Sequence, residues 1–162
     1  MTRKTAKGAV RPPPLARVLE YAHPQLVARF CKDYGVSTRT ANVVFKDLLR
    51  FLWLGAHAEY VHAPRAQMLT PMCIIDEMWH SFLSYSRDYE RFSSDYFGRF
   101  LHHDPAPVHT GRSTAPLDSA GFVELVWKEL GPVVARRWFA SYGREYPMVE
   151  IRKCQLAAAR GQ

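Results

Sequence analysis

The sequence predicts an all-α fold, a single compact domain of five to seven helices. Three observations lead there. Apolar side chains recur at the helical spacing of three and four residues along most of the chain. Pro, Gly and short polar residues stand where those stretches begin and end. Nowhere does the two-residue alternation of a half-buried strand persist, and no internal repeat is visible. With 162 residues, 48% apolar and 13% aromatic, the chain can bury one core and is too apolar to stay disordered.

Taken in order, Pro12-Pro13-Pro14 makes a stiff extended lead-in, because each proline ring locks φ and removes an amide donor. Leu15 to Tyr21 follows as one or two helical turns, interrupted at His23-Pro24. A helix restarts at Pro24, whose fixed φ suits a first helical position. It runs through Leu26, Val27 and Phe30 to Tyr34, and Gly35 supplies the left-handed residue that ends it. Ser37 caps a long helix in which Ala41, Val44, Phe45, Leu48, Phe51 and Leu52 recur, ending near His57 to Tyr60. Thr70 and Pro71 read as an N-cap and first-turn pair opening a helix to about Ser86. Another runs from Arg87 or Asp88 toward Gly98. Residues 104–118, rich in Pro, Ser and Thr, read as loop. Ser119 caps a helix carrying Phe122, Val123, Val126, Trp127 and Leu130, which Gly131-Pro132 breaks. Val134, Trp138 and Phe139 line a last helix ending near Gly143.

The formal charge of +7 is placed unevenly. Arg3, Lys4, Lys7 and Arg11 precede any acid, and Arg152, Lys153 and Arg160 follow the last one; residues 12–150 carry 15 basic and 15 acidic side chains. The expected organisation is a basic, proline-rich tail over 1–14, a helical domain over 15–150 and a basic tail over 151–162. Such tails solubilise, and they offer a partner surface to nucleic acid or an acidic protein. Cys31, Cys73 and Cys154 are odd in number and far apart, so reduced thiols are expected rather than a disulfide framework. No apolar stretch approaches the length of a membrane span and no apolar signal segment follows the basic start, so a cytoplasmic protein is expected.

Chemistry-bearing residues concentrate in Thr70-Pro71-Met72-Cys73-Ile74-Ile75-Asp76-Glu77-Met78-Trp79-His80 and in Leu101-His102-His103-Asp104. Residues four apart on a helix lie side by side, so Asp76 and His80 can share one cation. Imidazole and carboxylate are the usual ligands of zinc and non-haem iron, but two protein atoms rarely hold either ion. His102 or His103 supplies a third ligand if the next helix folds back antiparallel. Around this set, Cys73, Glu77, Trp79, Tyr89 and Tyr96 are expected as lining residues, with Tyr89, Phe92, Tyr96 and Phe100 forming an aromatic stripe. Two simpler readings compete. Asp76 and His80 suit a hydrogen-bonded pair bracing the core, and Cys73, Glu77, His80, Ser84 and Arg87 suit a solvated face. His57 and His62 fall on different helix faces, and neither His23, beside Pro, nor His109, in the loop, is given a role.

No nucleophile elbow, phosphate-binding loop or dinucleotide fingerprint occurs, and the pair is D-E-x-x-H rather than H-E-x-x-H. Catalytic residues are therefore left unassigned. An alternative signal is Phe30 to Asn42, where Gly35 and Val36 suit the turn of a helix-turn-helix; Thr38, Arg39, Asn42 and Lys46 would then face a major groove.

From Pro24 to Pro105 the chain resembles a family of small bacterial proteins related to the plant glycine-rich-domain proteins. The likeness rests on Leu49-Arg50-Phe51-Leu52, Asp76-Glu77-x-Trp79-His80, Tyr89 and Phe97-Gly98-x-Phe100-x-His102-His103. It implies helices and the location of a site, and no settled activity. The family's glycine-rich and RNA-binding segments are absent here. The function expected is a small helical protein with a His/carboxylate pocket for iron or zinc, centred on Asp76 and His80. The alternative is a non-catalytic module that docks a protein or nucleic acid.

Overall fold

A computed structural model describes residues 10–103 and 118–160. Residues 1–9 of the expected basic tail, and Asp104 and His109 of the expected loop, lie outside the described residues. The helices are α1 (Leu15–Glu20), α2 (Pro24–Tyr34), α3 (Thr38–Tyr60), α4 (Cys73–Ser84), α5 (Ser86–Phe97), α6 (Ser119–Arg136), α7 (Tyr142–Glu145) and α8 (Met148–Arg160). A π turn over Arg137–Ser141 joins the end of α6 to α7, and the described residues are all-α as expected. No strand occurs among the described residues.

Local chemistry sets most boundaries. Pro24 opens α2 and Gly35, at φ 64°, closes it. The Ser37 side chain accepts the Thr40 amide at the start of α3. Two expectations are corrected. Thr70 makes no cap: Thr70–Met72 is a 3-10 turn leading into α4, and its N-cap, Leu69, has no side-chain acceptor. Asp118, not Ser119, caps α6, its carboxylate accepting the Gly121 amide at 2.8 Å. The break expected at Gly131-Pro132 is present within the α6 range: Gly131 leaves the helical conformation at φ 80°, ψ 172°, and the helical stretch that carries Val134 resumes beyond it.

α3 is the central rod, packed against α1, α2, α4 and α6. Its buried residues include the whole periodic set read from the sequence, Ala41, Val44, Phe45, Leu48, Phe51 and Leu52, and extend beyond it to Leu49, Trp53 and Leu54. Phe82 of α4 is fully buried among Tyr21, Phe45, Tyr89 and Phe92, with ring centroids 5.0–5.9 Å away. Tilted and edge-on pairs of this kind add to the area they bury, and truncation of such a side chain to Ala costs about 3–5 kcal/mol. His23, given no role from sequence, is 7% exposed: its Nδ1 accepts the Leu26 amide at 3.1 Å and its Nε2 lies 3.1 Å from Asp88 of α5. A polar residue directly before a helix-opening Pro was the available signal.

Residues 151–160, expected as tail, are part of α8, which rests on α2 with Ile151 buried. No described helix is long and apolar enough to cross a membrane.

Candidate metal centre

Gly98 decides where the site forms. It takes φ 66° after Phe97, a conformation that costs a residue with a Cβ about 1–2 kcal/mol, and it ends α5 there. The chain then leaves the helix axis as the non-helical strap Leu101-His102-His103. Two hydrogen bonds fasten the strap. The buried Trp79 indole N–H donates to the Tyr89 hydroxyl oxygen at 3.0 Å, and that hydroxyl donates to the Leu101 carbonyl at 2.7 Å. The Tyr89 phenol pKa is raised by burial, so it stays a donor well beyond neutral pH.

Held so, His103 reaches the middle of α4. Its Nε2 lies 2.8 Å from Asp76 Oδ1, and its ring stands edge-on to Trp79, 4.3 Å between centroids. His80 Nδ1 lies 3.6 Å from the other Asp76 oxygen, and the two imidazole centroids are 4.5 Å apart. One carboxylate thus stands between two imidazoles, with one potential ligand atom per residue and all three within 4.8 Å of one another. Side-chain exposure falls from 50% at His80 through 28% at Asp76 to 14% at His103, so the group has one anchored side and one open to water.

Ligand atoms bound about 2.0–2.1 Å from one ion sit about 3.0–3.5 Å apart. The Asp76 contacts bracket that range, and the widest separation must contract by more than an ångström. Rotation of the half-exposed His80 ring can supply this, whereas His103 is fixed by its strap. Between the two histidines considered for the third ligand, the geometry chooses His103. His102 is exposed, its ring 5.0 Å from Phe100.

The expected lining residues divide. Trp79 and Tyr89 build the site as described. Cys73 is buried, and its thiol donates to the Tyr146 carbonyl at 3.3 Å; burial pushes its pKa up, which favours the thiol over the thiolate. Glu77 accepts a 2.7 Å hydrogen bond from Tyr34 of α2, whose phenol pKa is raised by burial and then by Glu77 itself. Half of the supposedly solvated face of α4 is therefore covered, by α2 and by the segment leading into α8. Tyr96 does not join the set. Its ring packs on Tyr21 and Phe92 beneath the Arg17 guanidinium, because α5 ends before the stripe can continue to Phe100.

The groove-facing set of the alternative reading also divides. Thr38, Arg39 and Asn42 are exposed, and the Asn42 amide donates to the Thr38 carbonyl at 2.9 Å. Lys46 is removed from it: its ammonium donates to the carbonyls of Leu19 and Tyr21 at 2.6 and 2.7 Å, closing the C-terminal end of α1. Burial lowers its pKa, with Arg50 nearby acting in the same sense.

Sequence reasoning missed Asp47. It is fully buried on α3 and accepts four hydrogen bonds: two from Arg137, at 2.6 and 2.7 Å, one from Arg50 at 2.9 Å and one from the Tyr142 hydroxyl at 2.7 Å. An acid within an arc of Val44, Leu48 and Phe51 was the signal available.

No curated protein and no solved structure matches the chain. The profile of the UCP032817-like family matches residues 16–127, over two thirds of the chain and including α1 to α5 with all three residues of the cluster. The chain belongs to the UCP032817-like family.

Proposed function

We propose that this protein binds one divalent transition-metal ion, iron or zinc, through Asp76, His80 and His103. The observation that carries this reading is the arrival of His103, from a separate segment, on the carboxylate that already faces His80 one helical turn away. Two imidazoles and one carboxylate are the donor set of non-haem iron(II) sites and of several zinc sites. The exposed side at His80 leaves coordination positions for water or substrate, so a hydrolytic or oxidative role is compatible with the set. The likeness to relatives of the plant glycine-rich-domain proteins supports the place of the site and supplies no chemistry.

The test is metal analysis of protein purified without chelator and resupplied anaerobically with iron(II) or with zinc. One equivalent per chain is expected for one of these ions, with binding lost in His103→Ala and in Asp76→Asn while circular dichroism remains that of wild type. Wild-type protein that holds neither ion stoichiometrically overturns the reading. Asp76, His80 and His103 would then serve as a hydrogen-bonded brace within a docking module.

A further inference from the structure

A cavity of about 670 Å³ opens between α3, the segment that follows it and the strap after α5. Phe51, Leu52, Ala56, Ala58 and Trp79, all buried, form its floor. Glu59, His62, Arg99, Phe100 and His102, all exposed, stand at its mouth. Its volume lies within the range of small-molecule pockets, which are lined mostly by apolar and aromatic side chains.

We propose that this cavity binds a small uncharged aromatic molecule, independently of the metal cluster. The absence of charge is argued from the polar groups around the cavity, which already have partners. Arg99 is paired with Glu59, and Arg65, the other arginine of the lining, has an interaction of its own. At the floor, the Trp79 indole N–H donates to the Tyr89 hydroxyl, which in turn donates to the Leu101 carbonyl. An ionised group carried inside would lose its water and gain no counter-charge, a cost that an uncharged ligand does not meet. The aromatic body is argued from the walls. Phe51 and Trp79 meet edge to face at 5.7 Å, and Phe100 stands at the mouth, so a flat ring system finds π surfaces on two sides.

The space depends on small residues. Gly55 lies in the body of α3, where a glycine weakens a helix, and a Cβ there would meet Ala66 Cβ only at an ordinary 3.7 Å. Packing therefore does not require glycine at this position, and the missing side chain leaves room in the cavity. His103 is not among the lining residues, although the Trp79 ring of the floor lies 4.3 Å from it. Occupancy of the cavity thus needs no metal ion.

Titration with 1-methylindole, which carries neither charge nor a hydrogen-bond donor, tests this by NMR in the presence of EDTA. Saturable shifts are expected at the Gly55 and Ala66 amides and the Trp79 indole N–H of wild type. Binding is expected to be about tenfold weaker in Gly55→Leu, which fills the space. Ala66→Leu, facing Gly55, is the second filling variant should Gly55→Leu fail to fold. Both 1-methylindole-2-carboxylate and the aliphatic ring cyclooctanone are expected to bind more weakly, and His103→Ala to leave 1-methylindole binding unchanged. Absence of saturable shifts at those three groups, or equal binding by folded cavity-filling variants, overturns the cavity assignment. Equal binding of the carboxylate overturns the choice of an uncharged ligand, and equal binding of cyclooctanone the choice of an aromatic one. Loss of binding in folded His103→Ala overturns the independence from the histidine cluster.

Discussion

Two neighbouring histidines on the non-helical strap after α5 have opposite fates. His103 meets Asp76 at 2.8 Å, while His102 faces the mouth of the cavity. His103→Ala is expected to lower metal affinity by at least about tenfold, and His102→Ala to leave it unchanged, as read by competition with a chromophoric chelator. His103→Ala also removes a half-buried hydrogen bond of about 1 kcal/mol, a fall of about 2–4 °C in Tm by calorimetry. Both histidines stood in the sequence as equal candidates. Spacing along a chain does not say which side of a non-helical segment a ring will take, since that depends on what fastens the backbone.

The fastening belongs to the helices. α4 contributes the Trp79 indole and α5 the Tyr89 hydroxyl; α5 stops where Gly98 permits, and the strap that follows hangs from Tyr89 by its Leu101 carbonyl. Tyr89→Phe leaves the buried Trp79 N–H without its partner, at a cost of about 1–3 kcal/mol in denaturant unfolding. It also frees the strap, so metal affinity is expected to fall about tenfold without loss of any ligand. Tyr96→Phe, on the same helix but packed on Tyr21, is expected to leave metal affinity unaltered; an equal fall in both variants would contradict a role for the strap. The limits of α2, α3 and α5 were legible because Pro24, Gly35, Ser37 and Gly98 act on their own backbone. The start of α4 was misread because Thr70 and Pro71 fit a helix cap locally, yet the chain there turns through one 3-10 turn first.

At the scale of the molecule, Asp47 ties the central helix to the joint between α6 and α7, with partners up to 95 residues away. Asp47→Ala would leave the Arg137 and Arg50 guanidiniums, each 23% exposed, beside an apolar core without their acceptor. The expected loss is about 3 kcal/mol, the lower end for a broken buried ion pair because both arginines retain some water. The same network sets a response to alkali. Burial, and then Asp47, raise the Tyr142 phenol pKa above its ordinary 10.0, so the folded state holds that proton more tightly than the unfolded state. Its contribution is complete below pH 10 and is lost as pH rises beyond it. Tyr142→Phe is expected to be less stable than wild type at pH 7 but to lose stability less steeply above pH 10, in urea unfolding followed across that range. Parallel curves would remove Tyr142 from the alkaline response; a residual slope is expected from Tyr34, whose phenol is also raised.

The amino-acid order alone determined the helical class, most helix limits and the neighbourhood of Asp76 and His80, because periodicity, proline, glycine and capping side chains act within a few residues of themselves. Only the tertiary structure chose His103 over His102, sent Tyr96 and Lys46 to other duties, buried Asp47 under two arginines and opened a cavity behind the strap. Each of those outcomes depends on which distant surface arrives beside a residue, and that is decided by the packing of whole helices about α3.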